Sequence, residues 1–152
     1  MLKKLVVIAT TITLCLTAAV SFAEDRASKA DAEKMVKKAA KAIKDKGDAV
    51  YKDITAPAKT YVDKDLYIVV YDMNGKCLAH GQNAKQVGRD LIGLKDADGK
   101  EFVKERVDLA KSKKTFWQDY KFTDPLTKQT LPKQMYCEQS GKVIVCGGVY
   151  KQ

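Results

Sequence analysis

The one histidine of this 152-residue chain, His80, closes the run Leu78-Ala79-His80 just before Gly81. An imidazole at the end of a strand, beside a glycine-rich loop, is placed where a side chain can face the mouth of a pocket. It cannot make a metal site by itself, and no Cys/His cluster has zinc-ligand spacing, so no metal is expected. Lys133 follows Pro132 at the head of another apolar run. Among so many lysines an exposed charge is the default, whereas an ammonium in a partly dry pocket would hold a carboxylate through charge-assisted hydrogen bonds. Arg89 offers a similar clamp from a loop, although its neighbour Asp90 equally suits a surface ion pair. Tyr67, Tyr71, Trp117, Tyr120, Tyr136 and Tyr150 all fall in strand-like runs. Rings on a sheet face are core by default, and they also suit an apolar pocket wall with polar tips. Trp117 and Tyr120 are an odd number of residues apart, so a regular strand turns only one of them toward a given face. No nucleophile with its base, no paired-carboxylate motif and no phosphate-binding glycine loop is found, so the reading is of a non-enzyme without a cofactor.

The segment that leads into these residues sets their compartment. Lys3 and Lys4 precede an uncharged stretch from Leu5 to Val20, and Ser21-Phe22-Ala23 forms a small-x-small site before Glu24. This is the layout of a cleavable signal peptide over residues 1–23, with 24–152 as one exported domain, periplasmic or secreted. A retained anchor is the rival reading, but the uncharged run is shorter than the roughly 20 apolar residues a span needs. Lipidation at Cys15 is disfavoured because Leu14 precedes it. No second apolar span follows, so a signal would pass through a partner protein, such as one in the membrane. The formal net charge is +9. Lysines are interleaved with acids, and the exported address and few arginines argue against nucleic acid.

The elements that must position the candidate residues follow from periodicity. From Ala27 to about Ile54 the apolar residues Met35, Val36, Ala39, Ala40, Ile43 and Val50 recur at helical steps, which predicts one long amphipathic helix, bent if anywhere at Gly47-Asp48 and finished by Pro57. Leu66 to Tyr71 and Lys76 to His80 flank Asn74-Gly75, a strong hairpin signal. Residues 82–99 read as a loop with a short helix, residues from Lys100 as a helix of about three turns, and 115–122, 132–138 and 142–150 as strands. This order favours an α+β domain with one antiparallel sheet and segregated helices.

Removal of the leader leaves Cys77, Cys137 and Cys146. If the last hairpin turns on Gly141-Lys142, Cys137 and Cys146 are directly opposite in a close, non-hydrogen-bonded pair and can form a disulfide. A turn on Ser140-Gly141 would shift the register and leave buried thiols.

With the elements placed, the ordered runs 65–76, 78–80, Val87-Gly88-Arg89-Asp90-Leu91 and Asp98-Gly99-Lys100-Glu101-Phe102 resemble a single Cache domain, an extracytoplasmic sensor family with a PAS-like sheet. So do Phe116 to Tyr120, Pro125, Pro132 to Tyr136 and Cys146 to Tyr150. The resemblance implies a long N-terminal helix on a five-stranded antiparallel sheet and a small-molecule pocket between sheet and loops. It matches His80 to a strand-end histidine at the ligand site, and Lys133 to a donor that points at an anionic ligand. With Tyr67, Trp117, Tyr120, Tyr136 and Arg89 these make the candidate ligand-binding set.

The leading expectation is therefore a sensor module for a small organic anion, a carboxylate in chemistry, that acts through a partner protein. A competing one is an envelope interaction protein whose lysine-rich helix pairs with a partner or forms a homodimer through Ala39 and Ile43.

Overall fold

The computed structural model describes residues 25–56 and 60–151. The leader and Pro57 lie outside the described residues. Helix α1 (Lys29–Lys46) starts at a capping box: Asp31 N–H donates to Ser28 Oγ, and Ser28 N–H donates back to the Asp31 carboxylate at 2.8 Å. Both bonds satisfy amides that the first helical turn leaves without partners. The helix stops at Gly47, whose φ of 65° lies in the left-handed region glycine adopts without strain. The single helix expected over 27–54 is therefore two, with α2 at Ala49–Thr55.

The sheet comprises β1 (Val62–Asp63), β2 (Leu66–Asp72), β3 (Cys77–His80), β4 (Thr115–Thr123), β5 (Thr130–Ser140) and β6 (Val143–Tyr150). The order is β1-β2-β6-β5-β4, with β3 also paired to β2, and every pairing is antiparallel. The two-residue β1 makes six strands of the five expected. Asp72 organises the β2–β3 turn by accepting from the amides of Asn74 and Lys76. Helix α3 spans Phe102–Ser112.

Strand alternation divides the core into two layers. Ile68, Val70, Tyr136 and Val145 face Val36, Ala39, Ala40 and Ile43 of α1. Gly147 allows this close approach, since a Cβ there would lie 3.1 Å from Val36 and from Ile68. The apolar stripe of α1 is thus buried against its own sheet, which leaves Ala39 and Ile43 no open surface for a second helix. The opposite face carries Tyr67, Val69, Tyr71, Phe116, Tyr120 and Met135 against Phe102, Val103 and Val107 of α3. Among the described residues no helix is long and apolar enough to cross a membrane.

Ser140 pairs with Val143, so the last hairpin turns on Gly141-Lys142. Cys137 and Cys146 are then opposite, with Cα atoms 4.2 Å apart, and are joined by a disulfide, while Cys77 is a buried thiol.

Candidate ligand pocket

A cavity of about 280 Å³ opens between the α3-side face of the sheet and the loops that follow β3 and β4. Tyr67, Val69 and Tyr71 come from β2, Tyr120 and Phe122 from β4, and Phe102 from α3. The loop after β3 adds Gln82, Asn83 and Leu94, and the β4–β5 turn adds Thr123, Asp124 and Pro125. An apolar wall with a few polar groups is the usual composition of a small-molecule site.

His80 lines this cavity and is stacked on Tyr67, with ring centroids 5.2 Å apart. Its Nδ1 accepts from the backbone amides of Gln82 and Asn83 at 3.1 and 3.0 Å. An atom that accepts twice carries no proton, so the neutral ring is protonated at Nε2, which is left as the donor available to a ligand. Burial, reinforced by the nearby Lys133 charge, pulls the His80 pKa down to about 4, so the ring is neutral at physiological pH.

Lys133 is fully buried and stands immediately behind the aromatic wall. Its Nζ lies 4.0 Å from the centroid of Tyr67 and 4.5 Å from that of Tyr150, and 3.4 Å from the Tyr150 hydroxyl. Among the described residues it makes no ion pair. Burial is the main cause that lowers its pKa to about 7; Arg106 adds to this, and Asp65 and Asp124 oppose it. Gly148 gives the lysine its path across the sheet, because a Cβ at that position would lie 2.9 Å from Lys133 Cε and 2.8 Å from the Gln134 carbonyl. Gly148→Ala is therefore expected to displace the lysine and to cost roughly 1–3 kcal/mol in stability from overpacking. Thermal and chemical unfolding of the variant beside the wild type checks this.

Asp124 also lines the cavity, but its charge is already answered. Burial acts to raise its pKa, yet Arg26 at 2.8 Å, the Thr127 hydroxyl and the Leu126 and Thr127 amides outweigh it and hold the carboxyl well below its ordinary range.

Of the residues singled out from sequence, the structure brings together His80, Tyr67 and Tyr120 on the cavity, with Lys133 behind it. Trp117 and Tyr136 pair across β4 and β5 on the other face, 5.2 Å apart, where Lys29 covers Trp117. As parity required, Trp117 and Tyr120 face opposite ways. Arg89 is exposed and does not line the cavity.

Two polar residues at the site were passed over in the sequence. Arg106 is fully buried on α3, and its Nε donates to Gln118 Oε1 at 3.0 Å while one terminal nitrogen donates to the Tyr71 hydroxyl at 3.0 Å. The signal was available: Arg106 falls on the apolar stripe Phe102, Val103, Val107 and Ala110, and Gln118 lies between Phe116 and Tyr120 on the inward face of β4. A polar residue that breaks an apolar period is either an error of phase or a group with a buried task.

Residues 1–151 match the single Cache domain 2 family. No sequence match is found among curated proteins. The fold is similar to a structure described as the basis for carboxylic acid recognition by a Cache chemosensory domain, with TM-score 0.67 and 22% identity over 81% of this chain and 92% of that one. It is similar as well to a methyl-accepting chemotaxis protein from Vibrio parahaemolyticus RIMD 2210633, with TM-score 0.65 and 19% identity over 80% of this chain and 87% of that one. A periplasmic sensor domain of a chemotaxis protein gives 0.63 and 20% over 79% and 88%. With a PAS-like antiparallel sheet, a cavity on its α3 side and a family match along nearly its whole length, the chain belongs to the single Cache domain family of small-molecule sensor domains.

Proposed function

We propose that this protein is an exported sensor module that binds a small carboxylate in the cavity beside His80 and Lys133 and reports occupancy to a separate signalling partner. The observation that carries the reading is Lys133, a buried amine with no carboxylate partner among the described residues, set behind the cavity's aromatic wall. A buried cation without a counterion is costly, and an anion in the adjoining cavity offsets that cost. His80 supplies a neutral donor through Nε2, and the tyrosine rings supply apolar surface for a short carbon chain. The description of one structural neighbour as a Cache chemosensory domain that recognises carboxylic acid agrees with this chemistry. The signal-peptide layout of residues 1–23 supports the export part of this reading.

A thermal-shift screen with short carboxylates, amines and neutral sugars tests the reading. Carboxylates are expected to raise the melting temperature, and His80→Ala to weaken the best of them about tenfold, as loss of one directed hydrogen bond would. Stabilisation by amines or sugars alone contradicts it.

A further inference from the structure

The cavity is served by a second buried cation. Arg106 lies among the rings of Tyr71, Phe102 and Tyr120, with its guanidinium carbon 5.3, 5.4 and 5.2 Å from their centroids, and all three rings line the cavity. Its fork is held rigidly. The Gln118 amide that accepts from Nε is itself fixed by donating to the Phe102 carbonyl and to Glu105 Oε2 at 2.8 and 2.7 Å. Glu105 pairs with Lys100 at 2.7 Å, and among the described residues no carboxylate pairs with Arg106.

One end of the fork is unused. The second terminal nitrogen, Nη2, is buried and makes no hydrogen bond, while the Tyr120 hydroxyl interacts with the same guanidinium. A residue kept only for packing would not retain a dry, unsatisfied donor, since an apolar side chain fills the same space without that desolvation cost. A guanidinium with a free edge beside a cavity is the group best suited to a planar oxyanion.

We propose that the cavity takes a small dicarboxylate, with one carboxylate on the Lys133 side and the other on the Arg106 side. This rests on the carboxylate reading above and narrows its ligand class. The two cations come from different elements, β5 and α3, and stand behind different sets of rings: Tyr67, Phe122 and Tyr150 for the lysine, and Tyr71, Phe102 and Tyr120 for the arginine. That separation suits two anionic groups joined by a short chain better than one doubly charged group. A monocarboxylate answers one charge and leaves the other dry. Among the described residues the only acidic group on the cavity wall is Asp124, which is held by Arg26 and pairs with neither cation.

Calorimetric titration of the exported domain with propanedioate, butanedioate and pentanedioate, each beside its monomethyl ester, and with inorganic phosphate, tests the proposal. The best diacid is expected to bind at least about tenfold more tightly than its ester, and Arg106→Gln to reduce that preference to within about threefold while ester binding persists. Equal affinity for diacid and ester in the wild type overturns the proposal and leaves the carboxylate reading intact. Preference retained in Arg106→Gln, or phosphate bound more tightly than every diacid, also overturns it. Absence of binding by any carboxylate overturns both. Should Arg106→Gln fail to fold, the comparison of diacid with ester in the wild-type protein still decides.

Discussion

Carboxylate affinity is expected to fall about tenfold for each pH unit above about 7, because binding requires the Lys133 ammonium and the free protein increasingly lacks it. The surrounding groups isolate this titration. Burial and the Lys133 charge keep His80 neutral down to about pH 4. Burial pushes the hydroxyls of Tyr67, Tyr71, Tyr120 and Tyr150 up, and Asp124 is held low against its own burial by Arg26. Lys133, brought down to about 7, is then the cavity-side group that changes charge near neutrality. Each binding event above that pH takes up close to one proton. Titrations in buffers of different ionisation heat, from about pH 6 to 9, read the uptake directly. The stability of the unliganded protein has the opposite sign. Below pH 7 lysine is charged in both folded and unfolded chains and the full cost of its burial is felt. Between about 7 and 10.5 the unfolded chain holds the proton that the folded one has lost, so this residue's contribution makes stability rise with pH.

Replacement of the same lysine by methionine should separate function from stability. Lys133→Met retains a long unbranched chain over Gly148 and removes the charge. The displacement of its pKa from 10.5 to about 7 corresponds to a penalty on the charged form on the order of 5 kcal/mol, an upper bound on what the variant regains at acidic pH. The variant is expected to unfold at higher temperature than the wild type at about pH 6 and to lose carboxylate binding by about a hundredfold or more. Chemical denaturation and calorimetry on the two proteins check this. A less stable variant that still binds would show that Lys133 is held for packing instead.

Much of this arrangement was legible in the sequence because it depends on period. The hairpin at Asn74-Gly75, helix α3 and the last three strands followed from alternation, helical steps and turn residues, and the opposed faces of Trp117 and Tyr120 followed from parity. The break at Gly47 was harder to place, since one glycine is compatible with a bend or a stop, and its positive φ is a property of the folded chain. The cavity was less legible than the fold. Tyr136 and Arg89 resemble pocket residues in type, but the face of Tyr136 depends on the phase of β5 and the position of Arg89 on loop packing. Arg106 and Gln118 were hidden by an assumption that a charged or amide side chain within an apolar period is solvated. Lys133 could be named but not weighed, because its burial depends on Gly148 from a neighbouring strand.

A crystal structure of the protein with its tightest-binding carboxylate tests the central claim most directly. The account predicts ligand density in the cavity bounded by Tyr67, Tyr71, Phe102 and Tyr120, with a carboxylate at the end nearest Lys133 and His80 Nε2. A ligand bound outside that cavity, or one that turns its apolar end toward Lys133, would contradict it.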